Sequence, residues 1–167
     1  MRIGILGTGA IGGFLASILI QNKHDVVCIC RERTCQEINN FGLILESNKF
    51  NNHTSFPETT NKLLHDIDLL FIATKSQYLE EALKLVESKY TSQALIIPLL
   101  NGVGFNRILV EHFGAQVASG TIGAIEVLKK DKRILHQSSS MIPKIELASN
   151  REDLQYKLAQ SADLLKN

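Results

Sequence analysis

The feature that most constrains this chain is its beginning, where a short apolar segment runs directly into three regularly spaced glycines. Residues 3–6 are apolar, and residues 7–12 then read G-x-G-x-x-G. A mostly apolar stretch of helical length, residues 10–20, comes next. Strand, glycine turn and helix in this order indicate a dinucleotide-binding turn, although glycines also form turns that bind nothing.

Each glycine of the turn has a separate physical reason. Gly7 permits the tight turn, Gly9 lets the backbone approach a pyrophosphate, and Gly12 lets the helix pack closely on the strand. Free amides and the positive end of the helix dipole then face the phosphates. The predicted cofactor-binding segment consists of Gly7, Thr8, Gly9, Ala10, Ile11 and Gly12.

Composition places the chain among ordinary globular proteins and gives no reason to expect a nucleic-acid or membrane partner. The 167 residues are 44% hydrophobic and 21% charged, which suits one domain with a sizeable core. Eighteen basic and seventeen acidic residues leave a net charge of +1, and Trp is absent. The early glycines would break a signal-peptide helix, and the longest apolar run is too short to cross a bilayer. We expect a cytoplasmic protein.

The three cysteines, Cys28, Cys30 and Cys35, do not form a disulfide framework, because their number is odd and the chain is long. Cys28 and Cys30 share one face of a predicted strand. A metal site would need further ligands, so we interpret these residues as small core side chains and predict no metal.

A second apolar strand, residues 25–30, completes a strand–helix–strand unit of about thirty residues. Its apolar character is typical of a parallel sheet that is buried on both faces. Arg31 follows this strand. In dinucleotide-binding folds the residue at this position contacts the adenosine ribose: an acidic residue there favours NAD and an arginine favours NADP. We therefore predict NADP, although residues 31–33 could instead form a solvated turn.

Further along the chain, the pattern predicts an α/β fold of the Rossmann-like, doubly wound type. Its mostly parallel sheet should carry an antiparallel extension near the C-terminus. The predicted strands are residues 43–45, 67–73, 94–100, 116–127, 133–139 and 144–148, and the last two should pair antiparallel near Pro143. The predicted helices are residues 34–41, capped by Thr34, a short one at 63–64, 78–89, one ending near 113, and 149–167. Residues 48–61 are polar and suit a hairpin or surface loop. Pro98 places its strand at a sheet edge or end.

Two further strand ends carry residues suited to a site. Thr74 and Lys75 follow one buried strand, and Asn101 and Gly102 follow the next. Ligands of open α/β sheets bind beyond the carboxyl ends of the strands, so these residues should meet the glycine turn and Arg31 in one crevice. Singly, Lys75 could be a solvated lysine and Asn101 the first residue of an Asn-Gly turn.

Taken together, these motifs resemble the N-terminal domain of ketopantoate reductases, also called 2-dehydropantoate 2-reductases. The resemblance covers about residues 1–150 and also includes Gly120-Thr121 and the strand around His136. It implies reduction of ketopantoate to pantoate with NADPH, a step of pantothenate and coenzyme A synthesis. It also implies that Thr74, Lys75, Asn101 and Gly102 contact the cofactor, with Lys75 and Asn101 as catalytic residues near the nicotinamide and the reacting carbonyl.

The resemblance also implies something that this sequence lacks. Members of the family carry a second, helical domain that supplies a lysine as principal acid and most substrate contacts. We therefore expect residues 1–167 to be an NADP-binding domain with the start of a linker helix. The missing partner would be that domain or a second copy of the chain. The alternatives are a stand-alone dinucleotide-binding module without catalysis, and a reductase of another 2-keto acid.

Overall fold

The computed structural model describes residues 1–102, 104–123, 125–137, 144–148 and 152–163. The strands are β1 (Arg2–Leu6), β2 (Asp25–Ile29), β3 (Leu43–Ser47), β4 (His53–Ser55), β5 (Glu58–Thr60), β6 (Leu69–Ile72), β7 (Leu95–Pro98), β8 (Ser119–Gly123), β9 (Val127–Lys130), β10 (Arg133–His136) and β11 (Lys144–Ala148). The α-helices are α1 (Ala10–Gln21), α2 (Glu32–Phe41), α3 (Leu79–Leu83), α4 (Asn106–Phe113) and α5 (Glu152–Asp163).

The main sheet has five parallel strands in the order β5-β2-β1-β6-β7. From β1 the chain moves outward on one side through β2, then returns to the other side through β6 and β7. The strand order therefore reverses between β1 and β6, which is the position where ligands bind in doubly wound folds. The predicted Rossmann-like fold is confirmed, and β7 lies at the sheet edge as Pro98 indicated.

Alternation along the strands divides the apolar residues between two cores. Ile3 and Ile5 face α1 and the second sheet, whereas Leu6 faces the layer that contains α3 and α4. All three side chains are fully buried. Both faces of the sheet are thus covered, which explains why β1, β2 and β6 are almost continuously apolar.

A second, mixed sheet in the order β4-β3-β10-β9 packs against α1. Residue 13 is a glycine, and a Cβ there would lie 2.6 Å from Cδ1 of Ile134 on β10. His136, also on β10, stacks near Phe14 of α1, with ring centroids 4.7 Å apart. The absence of a side chain at Gly13 therefore lets β10 approach the helix.

The predicted pairing of residues 133–139 with residues 144–148 is wrong. β10 instead pairs parallel with β3 and antiparallel with β9, while β11 pairs antiparallel with β8. Partners far away in sequence decide this register, and the local pattern contained no information about them. Pro143 lies outside the described residues.

Two helix predictions also need correction, and one backbone hydrogen bond links them. Residues 63–64 are not helical, and the Leu63 amide donates to the Leu85 carbonyl at 2.8 Å. The Leu85 carbonyl thus accepts a hydrogen bond from outside the helix predicted at 78–89. In place of that helix the structure has the short α3 between two 3₁₀ turns.

Helix α2 starts earlier than predicted, with Arg31 rather than Thr34 at its N-cap. It ends where expected, since Gly42 has φ +75° and its amide donates to the Ile38 carbonyl at 2.7 Å. The segment predicted as a hairpin or loop contains two short strands, and the polar β5 joins the main sheet beside β2.

Helix α5 corresponds to the helix predicted at residues 149–167, and Leu154 and Leu158 pack into the core that contains Ile3 and Ile5. The sequence also suggests Ser149 or Asn150 as its N-cap, and both lie outside the described residues. Within the described ranges, every helix is too short or too polar to traverse a lipid bilayer.

Candidate cofactor-binding site

The predicted site residues line up along the carboxyl edge of the main sheet. Arg31 follows β2, the glycine turn follows β1, Thr74 and Lys75 follow β6, and Asn101 follows β7. These four strands are consecutive neighbours, so the row spans three strand spacings, about 14 Å. The sheet order thus converts four distant sequence segments into one extended row across the point where the strand order reverses.

The glycine turn is held tightly to the sheet. The Gly7 amide donates to the Ile29 carbonyl at the end of β2, at 3.0 Å. Gly7 has φ +93°, and a Cβ there would lie 2.8 Å from Cγ2 of Thr74. At Gly12 a Cβ would lie only 1.9 Å from the Gly7 carbonyl oxygen. These two positions accept only glycine, for reasons of backbone conformation and close approach.

Gly9 differs from its neighbours because no atom of the described residues lies within 4 Å of the Cβ position there. It is the exposed N-cap of α1, and no side chain of the described ranges caps this helix end. The amides of the first turn therefore lack intrahelical acceptors, and α1 has no acidic residue there to compensate the dipole. The open face beside Gly9 can accept an anion.

Thr74 adds a polar group to the same turn. Its hydroxyl oxygen is buried and has no hydrogen-bond partner among the described residues, although its methyl group lies against Gly7. A buried hydroxyl without a partner costs free energy unless a ligand or water satisfies it. The open N-terminus of α1, the missing side chain at Gly9 and this hydroxyl fit a bound pyrophosphate.

Arg31 lies exposed at the N-terminus of α2, and it forms no ion pair within the described part of the chain. The neighbouring carboxylate of Glu32 is already engaged, since it accepts hydrogen bonds from Asn61 at 2.7 Å and Gln36 at 3.1 Å. The end of β2 therefore presents an available cation beside an occupied carboxylate, which favours an anionic ligand group there.

The other end of the row is exposed and polar. Lys75 and Asn101 are exposed, and Lys75 has no ion pair among the residues that the structure describes. Gly102 has φ +101°, which agrees with an Asn-Gly turn, while Val103 lies outside the described residues. Both side chains are thus accessible to a ligand beyond β6 and β7.

The cysteines are buried free thiols, as predicted. The sulfurs of Cys30 and Cys35 lie 3.2 Å apart. Burial, with a smaller contribution from Cys35, raises the pKa of Cys30 to about 12, and the charge of Lys129 acts in the opposite direction. Within the described ranges, no group of three or more His, Cys, Asp or Glu side chains is placed to hold a metal ion.

Lys129 was not expected near the site, because it follows the predicted core strands and belongs to the second sheet. Its ammonium nitrogen lies 3.5 Å from the carbonyl oxygen of Thr8 in the glycine turn. In the sequence, Lys129 and its neighbour Lys130 are two ordinary lysines of a strand, and nothing there indicates that one of them lies near the glycine turn. Only the packing of β9 beside α1 creates it.

The model of a known family, described as ketopantoate reductase PanE/ApbA, matches residues 3–148. The chain belongs to this family. Its members are oxidoreductases. The matched range shows that the likeness is not limited to the glycine turn but extends over most of the sequence.

Individual relatives agree with this assignment. The chain is 32% identical over 120 residues to a 2-dehydropantoate 2-reductase of Pyrococcus abyssi, covering 72% of this chain and 39% of that protein. A PanE/ApbA family ketopantoate reductase from Ralstonia eutropha JMP134 superposes with a TM-score of 0.82 at 20% identity. The superposition covers 99% of this chain and 54% of that one.

A D-mandelate dehydrogenase solved with NADH and anilino(oxo)acetate has the same fold, with a TM-score of 0.83 at 22% identity. That match covers 99% of this chain and 53% of the dehydrogenase. The chain therefore spans about half the length of these solved relatives, and less of the Pyrococcus protein.

Proposed function

We propose that this chain is the NADPH-binding part of a 2-dehydropantoate 2-reductase that reduces ketopantoate to pantoate. The observation that carries the proposal is the row of residues along the carboxyl edge of the sheet, from Arg31 through the glycine turn to Lys75 and Asn101. Family membership and the oxidoreductase activity of the relatives support it. The corresponding pathway is pantothenate and coenzyme A synthesis in the cytoplasm.

In this proposal the two ends of the row bind the two ends of the dinucleotide. Arg31 pairs with the 2′-phosphate of the adenosine ribose, which its planar guanidinium can contact through two hydrogen bonds. Residues 7–12 hold the pyrophosphate through the free amides of α1. Thr74, Lys75, Asn101 and Gly102 contact the nicotinamide half.

The chemical contribution of this chain is binding and polarisation. A bound reduced nicotinamide supplies hydride. The Lys75 ammonium stabilises negative charge that develops on the substrate carbonyl oxygen, and the Asn101 amide orients the reacting groups. We propose that the further length of the relatives supplies the principal acid and most of the substrate contacts.

The test is a fluorescence titration with NADPH and with NADH. Replacing Arg31 by Ala should weaken NADPH binding by about 1.5–3 kcal/mol, roughly ten- to hundredfold, because a charged hydrogen-bonded pair is lost. NADH binding should change little. The matched control is Arg133→Ala, which removes an exposed arginine that pairs with Glu46 on the second sheet.

Equal affinity of the unaltered chain for the two cofactors, unaffected by Arg31→Ala, would contradict the NADP assignment. A second candidate is reduction of another 2-keto acid, favoured by the shared fold of the D-mandelate dehydrogenase. A stand-alone dinucleotide-binding module remains the third. Assays of several 2-keto acids with the chain and its genomic neighbours separate these candidates.

A further inference from the structure

Lys129 is a cation that reaches the glycine turn from outside the main sheet. Along β9 the side chains alternate, so that Lys129 is half-buried while its neighbours Leu128 and Lys130 are exposed. The Lys129 ammonium nitrogen lies 3.5 Å from the Thr8 carbonyl oxygen, and the side chain is 26% exposed. The Lys129 side chain therefore points toward the glycine turn, although β9 begins more than a hundred residues after that turn in the sequence.

The other neighbours of Lys129 place it on the adenosine side of the turn. Its ammonium lies 3.8 Å from Oε1 of Glu37, on the helix that starts beside Arg31. Its charge also acts on Cys30, the residue that precedes Arg31. Lys129 thus lies beside the end of β1 and close to the end of β2, the strand that Arg31 follows.

The contact with Glu37 is weak enough to leave the Lys129 ammonium available for a phosphate group. Both side chains are partly exposed, at 26% and 30%, and 3.8 Å is a long ion-pair distance. Such pairs contribute only about 0–1 kcal/mol. A phosphate monoester carries roughly −1.5 to −2 charge at neutral pH, so a single arginine leaves part of that charge uncompensated.

We propose that Lys129 is a second cation for the adenosine 2′-phosphate, acting with Arg31 to select NADP over NAD, and that Glu37 competes weakly with the phosphate for its ammonium group. This inference rests on the proposed function, since it assumes that the dinucleotide binds at the glycine turn. A lysine suits the role because its compact charge adapts to a phosphate that the arginine already holds bidentately.

The experiment compares Lys129→Met with the matched control Lys130→Met, which removes the exposed lysine next to it on β9. We expect Lys129→Met to weaken NADPH binding about tenfold, as for loss of one charged hydrogen bond. NADH binding should change less than about twofold, and the control should alter neither affinity. Adenosine 2′-monophosphate should follow NADPH, and adenosine 5′-monophosphate should follow NADH.

Two results would overturn the inference. An equal loss for NADPH and NADH would assign Lys129 to the pyrophosphate or to the turn itself, and an unchanged NADPH affinity would remove it from the site. If Lys129→Met does not fold, Glu37→Gln decides. Freeing the ammonium should raise NADPH affinity about two- to threefold without changing NADH affinity, and an unchanged NADPH affinity would again overturn the inference.

These outcomes differ from failure of the proposed function. If Arg31→Ala discriminates between the cofactors but Lys129→Met does not, only the role of Lys129 is lost. If the unaltered chain binds neither cofactor, the proposed function itself is wrong.

Discussion

At the scale of single residues, the two later glycines of the turn have separable tasks. A Cβ at residue 12 would overlap the Gly7 carbonyl oxygen, whereas a Cβ at residue 9 would meet no described atom within 4 Å. Gly9 also has φ −72°, which any residue can adopt. Glycine at residue 12 is therefore required by packing within the folded protein. Glycine at residue 9 is required only if a ligand approaches the open face of the turn.

This difference predicts opposite phenotypes for the same chemical change. Gly12→Ala should lower the free energy of unfolding by about 1–3 kcal/mol, because the methyl group overpacks against backbone. Gly9→Ala should change stability by less than about 1 kcal/mol, the range of an N-cap substitution. It should nevertheless weaken NADPH binding, because the methyl group occupies the open face of the turn.

Urea unfolding and cofactor titration of both variants provide the measurements. A stable Gly9→Ala variant with full NADPH affinity would show that the cofactor does not approach this face. A Gly12→Ala variant as stable as the parent would contradict the steric argument.

Residue identity predicted much of the candidate site. Glycine spacing and an arginine after the second strand are local signals, so they can be recognised without coordinates. Lys129 gives no local signal, since its position beside Thr8 depends on how a distant strand packs against α1. Long-range packing is the information that a single sequence does not display.

At the scale of elements, β10 packs the second sheet against α1 through the buried side chain of His136. His136 is 1% exposed, and its Nδ1 lies 2.7 Å from the Ser47 hydroxyl on β3. The ring packs between Phe14 and Phe50, and its buried Nε2 has no hydrogen-bond partner within the part of the chain that the structure describes. Burial, with a smaller contribution from Lys49, lowers the pKa of His136 below its ordinary value.

The lowered pKa gives stability a defined pH dependence. Below about pH 6.5 the unfolded chain binds a proton at this histidine while the folded chain does not. The contribution of His136 is therefore complete above that pH and is lost as pH falls toward its folded pKa. The limiting slope for one proton is about 1.4 kcal/mol per pH unit.

Unfolding titrations of the parent and of His136→Asn between pH 5 and 8 measure this effect. The variant should be less stable at pH 8 and should lose less stability on acidification than the parent. Parallel curves would show that His136 does not stay neutral in the folded chain.

Elements with strong apolar patterns were predicted correctly, and those fixed by distant partners were not. β1, β2, β6 and β7 are apolar enough to be recognised anywhere. The strand β5 is polar, and it is specified by pairing with β2 and by the 2.6 Å ion pair between Arg2 and Glu58. A polar strand without apolar alternation resembles a loop until its partner is known.

At the scale of the whole molecule, the proposed division of labour predicts binding without turnover. The chain should bind NADPH, yet oxidise it at no measurable rate with ketopantoate, because the proposed principal acid belongs to the additional length of the relatives. Adding the C-terminal half of a ketopantoate reductase relative, in trans or as a fusion, should produce ketopantoate-dependent NADPH oxidation. Full activity of the chain by itself would refute this division.

The parallel pairing of β10 with β3 has a consequence during synthesis. Ser47 and His136, which meet across these strands, are 89 residues apart. At about 5–20 residues per second, a ribosome needs roughly 4–18 s to supply the second strand after the first. Throughout that interval α1 can rest on β1 and β2, but its outer side around Gly13 and Phe14 has no cover from β10. That side of the nascent chain therefore stays without this part of its cover until β10 has been made.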